Sequence, residues 1–161
     1  MLQLLIVLAL IVLNAFFALS EMAVMTSRKS RLRQMAVHSA GARKALELAE
    51  QPDNLLSTVQ VGITLIGVLT GLFGGEAIGD IIAAWLGDTW PGARDYASGI
   101  GIGTAVGLIT AAQVIFGELI PKRLALTNAE LIACKVALPL DWLSRAATPI
   151  VATLGAINRL V

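Results

Sequence analysis

Charged side chains are scarce in this sequence. Of its 161 residues only 14% are Asp, Glu, Lys or Arg, whereas 57% are hydrophobic, and the mean hydropathy is +0.79. Soluble domains carry roughly a quarter charged residues, and a soluble domain of this length needs them to cover its surface. The composition therefore excludes an ordinary soluble globular domain and predicts an integral membrane protein.

Cysteine and histidine are almost absent as well. The single cysteine, Cys134, excludes an internal disulfide and a cysteine-based metal cluster. The single histidine, His38, lies in a basic segment and is expected to be a solvated loop residue. No nucleophile–base pair or zinc motif is present, which argues against an enzyme. A formal net charge of +1 gives no indication of a nucleic-acid partner.

What the chain does contain is three long segments without a charged side chain, namely residues 1–20, Asn54–Gly75 and Tyr96–Gly117. About 20 apolar residues cross a bilayer as a helix. The first segment lacks the basic start of a signal peptide, and its apolar stretch is too long for one. We predict an all-α integral membrane fold with three transmembrane helices per subunit, at approximately 2–25, 54–75 and 97–120.

The distribution of charge predicts the orientation in the membrane. Basic residues are concentrated in residues 26–53 and after Gly117, whereas acidic residues dominate residues 76–95. Because basic segments remain in the cytoplasm, the N-terminus is expected outside and the C-terminus in the cytoplasm of a multi-pass protein of the inner (plasma) membrane.

The segments between the spans predict further helices. Residues 27–50 show helical apolar spacing among cations and predict one or two juxtamembrane helices at the cytosolic interface. Glu76–Leu86 is expected to form a short interfacial helix on the outer side. Residues 128–161 are apolar but interrupted by charges and prolines, which favours a broken amphipathic pair on the cytosolic face over a fourth span.

Glycines recur at four-residue spacing in the second and third spans. Gly67–Gly71, Gly99–Gly103 and Gly103–Gly107 all fit the small-xxx-small pattern, which lets helices approach closely in lipid. The pattern predicts helix packing within the subunit or across a homodimer.

The sequence "FGELIPKRL" at residues 116–124 ends the third span with unusual chemistry. Pro121 has no N–H, so the carbonyl four residues earlier, that of Gly117, loses its α-helical partner. A membrane does not tolerate an unsatisfied carbonyl, and the Glu118 carboxylate is adjacent. We therefore expect a neighbouring donor, water or a cation at Gly117. The alternative for Glu118 is an interfacial ion pair with Lys122.

Polar residues of the other spans are predicted at the same depth. They are Ser20 and Glu21 at the inner end of span one, and Asn54, Ser57, Thr58 and Gln60 at the inner end of span two. Such an oxygen-rich set suits Mg²⁺, Ca²⁺ or Na⁺ rather than zinc or copper. The alternatives are a Ser20 hydroxyl bonded to its own helix and a Glu21 that faces Arg28 or lipid headgroups.

Three stretches together resemble the transmembrane domain of the CorC/cyclin M (CNNM) family. They are "LNAFFALSEMAVMTSRKSRL" (residues 13–32), "LLSTVQVGITLIGVLTGLFGG" (55–75) and "FGELIPKRLAL" (116–126). The resemblance covers essentially the whole chain.

The resemblance implies a homodimeric magnesium transporter, generally associated with Mg²⁺ efflux, that binds the ion between the spans largely stripped of water. Na⁺ is a candidate coupling ion. The implied ligands are Ser20, Gly117, Glu118 and either Ser57 or Thr58, and Asn14 also fits a family position. Family members usually continue into cytosolic CBS-type regulatory domains, which this chain lacks.

A different class of function is compatible with the same features. The chain would then be a membrane anchor and dimerisation module that positions cytosolic sensor domains and transports no ion. Loss of transport on replacement of Glu118 would distinguish the first hypothesis from the second.

Overall fold

A computed structural model describes residues 2–90, 92 and 94–158. These residues form helices and no strand, which confirms the all-α prediction. In chain order the helices are α1 (Leu2–Thr26), α2 (Lys29–Ala36), α3 (Ala40–Glu50), α4 (Pro52–Thr89), α5 (Arg94–Val114), α6 (Ile120–Thr127) and α7 (Ala129–Asn158), with a π-helical turn (Ile115–Leu119) between α5 and α6.

Three helical stretches in the described part are long and apolar enough to cross a membrane: Leu2–Thr26, Leu55–Thr89 and Asp95–Thr127. In their most apolar windows only 22%, 28% and 17% of the residues, respectively, are buried by the protein itself. Most of the apolar side chains are therefore exposed and need lipid around them. The prediction of three spans is confirmed, and each helical stretch extends beyond the predicted span.

The segment that follows the second span is helical but does not form a separate element. Glu76–Leu86, predicted as an independent interfacial helix, is part of α4, which continues through Gly74 and Gly75. Each glycine costs about 1 kcal/mol of helix propensity relative to alanine. At Gly74 the missing side chain leaves room for Ile109 and Val7, which a Cβ atom would crowd. Packing thus compensates for the weak propensity, and the helix does not break.

The C-terminal segment forms one helix, α7, so the predicted break into an amphipathic pair was wrong. Pro139 and Pro149 both lie inside α7. A proline removes one backbone hydrogen bond and can bend a long helix without ending it. Residues 159–161 of the predicted segment lie outside the described residues.

The chain divides into two compact units, Met1–Ala15 with Thr64–Leu119 and Phe16–Ile63 with Ile120–Val161. In the first unit α4 and α5 approach closely at two glycines. A Cβ atom on Gly101 would lie 2.5 Å from the Gly79 carbonyl oxygen and 3.0 Å from the Ala83 nitrogen. A Cβ atom on Gly79 would lie 3.1 Å from the Ile102 Cα. These glycines bring the two backbones into direct contact.

The glycines at four-residue spacing have a different environment. A Cβ atom on Gly67 would lie 3.2 Å from the Gln113 side-chain nitrogen. At Gly71, Gly99, Gly103 and Gly107, a Cβ atom would meet nothing within 4 Å. Of the glycines in the three predicted pairs, Gly67 is therefore the one that meets α5, and the backbone contact between α4 and α5 is made at Gly79 and Gly101 instead.

In the second unit the juxtamembrane segment forms two helices, α2 and α3, as expected for residues 27–50. Ser39 caps α3, because its hydroxyl oxygen accepts a hydrogen bond from the Ala42 N–H at 3.2 Å. One face of α3 is buried and packs against α7; it consists of Gly41, Ala42, Ala45 and Ala49. A Cβ atom on Gly41 would overlap the Cys134 carbonyl oxygen. The predicted apolar face of α3 thus contacts protein.

An ion pair joins the same two helices. The Lys44 Nζ lies 2.7 Å from Glu47 Oε2 and 2.9 Å from Asp141 Oδ1 on α7. The hydrogen bonds to Glu47 and then to Asp141 raise the pKa of Lys44 above its ordinary value. The ion pairs of Lys44 therefore stabilise the folded state fully below the unfolded pKa of lysine, about 10.4. This stabilisation is lost as the pH rises through the raised pKa of Lys44 in the folded state.

We expect Lys44→Met to lower the melting temperature at pH 7 by about 2–4 °C, because a partly exposed pair contributes up to about 1 kcal/mol. Melting curves between pH 7 and pH 12 should show the difference from wild type shrinking at the alkaline end. Arg43→Met on the exposed side of α3 is the matched control, expected to melt like wild type. A difference for Lys44→Met that is constant over this pH range would contradict the ion-pair explanation.

Candidate cation site

A change of helix type marks the C-terminal part of the third span. In the π-helical turn Ile115–Leu119, N–H groups bond the carbonyl five residues earlier instead of four. Pro121, which has no N–H, follows in the first turn of α6. A change of hydrogen-bond register and a missing donor therefore coincide within a few residues. Such π-helical turns are frequent at functional sites.

The Gly117 carbonyl has a partner from another helix. The Asn14 Nδ2 donates a hydrogen bond to the Gly117 oxygen at 3.1 Å. Gly117 is buried, and Asn14 is only 1% exposed. Of the occupants expected at this carbonyl, the structure shows a neighbouring donor. The first unit thus brings together two predicted residues, Gly117 and Asn14.

The other end of the same amide is unusual. Asn14 Oδ1 is the one buried side-chain oxygen or nitrogen among the described residues that has no hydrogen-bond partner. Leaving a buried acceptor without a partner costs about 1–3 kcal/mol. Most buried polar atoms in proteins do have a partner, so no group among the described residues holds this end of the amide in place.

Gln113 is a polar residue of this region that sequence reasoning missed. A Cβ atom on Gly117 would lie 2.9 Å from the Asn14 Nδ2 and 3.5 Å from the Gln113 Cγ. The Gln113 amide also approaches Gly67. The available signal was an amide side chain inside an uncharged span, one helical turn before Gly117. Because the Gln113 side chain is neutral, it does not interrupt the uncharged segment and gives no signal in the charge pattern.

The absence of a side chain on Gly117 is required locally. Because its Cβ atom would be so close to the Asn14 Nδ2, an alanine there would push the amide away from the carbonyl it bonds. Glycine therefore permits both the close approach and the hydrogen bond.

Glu118 lies in the same π-helical turn and is half-buried. A carboxylate within a membrane-spanning helix is a candidate functional group by default. No three His, Cys, Asp or Glu side chains come together as a metal-binding group in the part of the chain that the structure describes. A cation at this turn would therefore need neutral oxygens beside Glu118.

Ser20 belongs to the second unit and is fully buried in α1. Its hydroxyl donates a hydrogen bond to the Phe16 carbonyl at 2.6 Å, the back-bonding that was the alternative at this position. A hydroxyl that donates its proton to a carbonyl keeps its lone pairs. The bond is therefore compatible with a role of the Ser20 oxygen as a ligand.

Burial distinguishes Thr58 from Ser57, the two alternative ligands predicted near the start of α4. Thr58 is 5% exposed, whereas Ser57 is exposed. Gln60 is also exposed, and the side chain of Asn54 lies outside the described part. Of this predicted group Thr58 has the most enclosed hydroxyl.

The remaining predicted residues form an ion pair in the second unit. The Lys122 Nζ lies 3.8 Å from Glu21 Oε2. Their side chains are 34% and 18% exposed, respectively, so the pair is partly shielded from solvent. Glu21 therefore has a cationic partner on α6 rather than Arg28, and Pro121 beside it is buried.

The fold defines a multi-pass α-helical membrane protein, and the π-helical turn places a buried carbonyl with a side-chain partner inside one of its spans. The family model described as "Cyclin M transmembrane N-terminal domain" matches residues 5–161. The chain therefore belongs to the cyclin M (CNNM) family, and the resemblance inferred from its motifs is confirmed.

Three relatives illustrate the range of similar proteins. The chain is 43% identical over 155 residues to UPF0053 protein sll0260 of Synechocystis, covering 96% of the chain and 34% of that protein. It is 31% identical over 150 residues to UPF0053 inner membrane protein YfjD of Escherichia coli, covering 92% of the chain and 32% of that protein. It is 27% identical over 150 residues to a polyamine export protein of Escherichia coli, covering 92% and 33%. The chain thus spans about a third of the length of these relatives.

Proposed function

We propose that this chain transports Mg²⁺ across the membrane and takes part in its efflux. The observation that carries the proposal is the Gly117 carbonyl. It lies in a membrane-spanning helix, cannot be bonded by Pro121, and is bonded by the side chain of Asn14. The next residue in the same π-helical turn is Glu118. A helix that only anchored the protein would need none of these groups.

The chemistry of the donors favours a hard cation. Carbonyl, amide and carboxylate oxygens are the ligands of Mg²⁺ and Ca²⁺, whereas thiolate and imidazole ligands select softer metals. Glu118 supplies the negative charge in this proposal. The family resemblance adds Ser20 and either Ser57 or Thr58 as neutral ligands, and of the last two Thr58 is the buried residue.

The finer features of the proposal follow the family resemblance. The chain works as a homodimer with its N-terminus outside, and cytosolic regulatory domains act on it in the longer protein. Gly99, Gly103 and Gly107 of α5 support close packing of a second copy, because a Cβ atom added to any of them would meet nothing within 4 Å. Na⁺ is the proposed coupling ion.

Flux into liposomes tests the proposal. The chain is reconstituted into vesicles that contain a Mg²⁺-sensitive dye, and Mg²⁺ is added outside. We expect a saturable signal that exceeds the signal of protein-free vesicles. Parallel vesicles are tested with Ca²⁺, with spermidine and with a Na⁺ gradient.

The outcomes separate the candidate functions. Flux of spermidine without flux of Mg²⁺ would contradict the magnesium assignment and favour an organic polycation, as the name of one relative indicates. Reconstituted, folded protein with no flux of any of these cations would instead favour the membrane anchor and dimerisation module.

A further inference from the structure

The two ends of the Asn14 side-chain amide differ in a way that is unusual for a buried asparagine. Its Nδ2 donates to the Gly117 carbonyl at 3.1 Å. Its Oδ1, on the same buried amide, has no hydrogen-bond partner in the described part of the chain. The side chain as a whole is 99% buried, since only 1% of it is exposed. An amide with one end bonded and the other end unpartnered is poised to change orientation.

Rotation of this amide by half a turn about its terminal bond exchanges the positions of Nδ2 and Oδ1, since the two ends have nearly the same size and shape. The rotated Oδ1 would then lie at the position of Nδ2, 3.1 Å from the Gly117 oxygen. Two adjacent ligands of an octahedral Mg²⁺ at 2.0–2.1 Å are about 2.8–3.0 Å apart. The existing geometry therefore needs only a small adjustment to form one edge of a Mg²⁺ octahedron.

The cation determines which orientation is stable. Without a cation, two oxygens at this distance would repel each other, so the amide presents its N–H group to the Gly117 carbonyl. With a cation beside the carbonyl, an N–H group in that place would be repelled, and Oδ1 would be attracted. The amide and the cation thus satisfy the same carbonyl in turn.

We propose that Asn14 is a two-position ligand of the transported cation, donating to the Gly117 carbonyl in the cation-free state and coordinating the cation through Oδ1 beside that carbonyl in the bound state. This inference rests on the proposed function, because the cation is the one that the chain transports. In this scheme the Asn14 Nδ2 again donates a hydrogen bond to the Gly117 carbonyl when the cation leaves. The carbonyl is then never left unsatisfied inside the membrane, which favours release.

Nuclear magnetic resonance of the Asn14 side-chain amide tests the inference in the unmodified chain. The chain is labelled with ¹⁵N and titrated with Mg²⁺ in detergent, while calorimetry measures binding in parallel. The resonance is assigned by its absence from Asn14→Asp. We expect it to shift saturably, with the midpoint that calorimetry gives. A calorimetric signal with an unmoved Asn14 resonance would overturn this inference and leave the proposed function intact. No binding by calorimetry in folded protein would overturn both.

Two substitutions separate a ligand from a structural donor. Asn14→Asp keeps the oxygen and loses the N–H donor, so we expect Mg²⁺ affinity at least equal to that of wild type. Asn14→Leu removes both, and we expect affinity to fall at least about tenfold. Equal weakening by the two substitutions would show that Asn14 acts only as a donor. Asn128→Asp, on an exposed residue between α6 and α7, makes the same change of charge and should bind like wild type.

Discussion

Replacing Glu118 by glutamine is expected to reduce Mg²⁺ flux to the level of protein-free vesicles, a loss of at least about 100-fold. Glutamine has nearly the same size and keeps one oxygen, but it lacks the negative charge. A divalent cation stripped of water needs that charge to offset the loss of hydration. Loss of an outer partner of a metal ligand alone typically reduces affinity or activity 10- to 100-fold. Loss of the charge of a proposed ligand should therefore reduce the flux by more than that.

The control for this variant is Glu76→Gln, which makes the same chemical change at an exposed position of α4. It should transport Mg²⁺ at the wild-type rate. The two variants should also elute alike in size-exclusion chromatography, so that loss of flux is not loss of assembly. Flux by Glu118→Gln within a few-fold of wild type would remove Glu118 from the proposed ligands.

Replacing Gly101 by alanine is expected to lower the free energy of unfolding by about 1–3 kcal/mol, the usual effect of overpacking. The new Cβ atom would lie 2.5 Å from the Gly79 carbonyl oxygen, which belongs to the backbone and cannot rotate away. The α4 and α5 backbones would have to separate, so their close packing would be lost. Unfolding in mixed detergent measures the change.

Gly71→Ala is the matched control, because a Cβ atom there meets nothing within 4 Å. Both substitutions gain up to about 1 kcal/mol of helix propensity, so any difference between them reports packing. We expect Gly71→Ala to be as stable as wild type or slightly more stable. Equal stability of the two variants would contradict the close α4–α5 contact at Gly101.

The sequence was sufficient for part of the candidate site. The missing N–H of Pro121 is a property of one residue, and the carbonyl it leaves without a partner follows by counting four positions to Gly117. The partner that fills this carbonyl is not a local property, because Asn14 lies 103 positions away in the chain. Gln113 was missed for a related reason, since a neutral amide does not interrupt an uncharged run.

The lengths of the helices likewise depend partly on local sequence and partly on tertiary packing. Glycine and proline weaken a helix locally, and on that basis Glu76–Leu86 was expected as a separate helix and residues 128–161 as a broken pair. In the structure α4 and α7 each continue as one helix. Packing of Ile109 and Val7 around Gly74 stabilises α4, and no window of local sequence contains that contact.

The sequence by itself determined that this is an all-helical membrane protein with three spans, and that Gly117 has a carbonyl in need of a partner. These properties depend on hydropathy summed over about 20 residues and on the covalent structure of proline. Only the tertiary structure decided that Asn14 bonds this carbonyl, that its Oδ1 remains unpartnered, and that Gly79 and Gly101 join α4 to α5. Each of these depends on the distance between atoms that lie far apart in the chain or on different helices, and folding alone sets those distances.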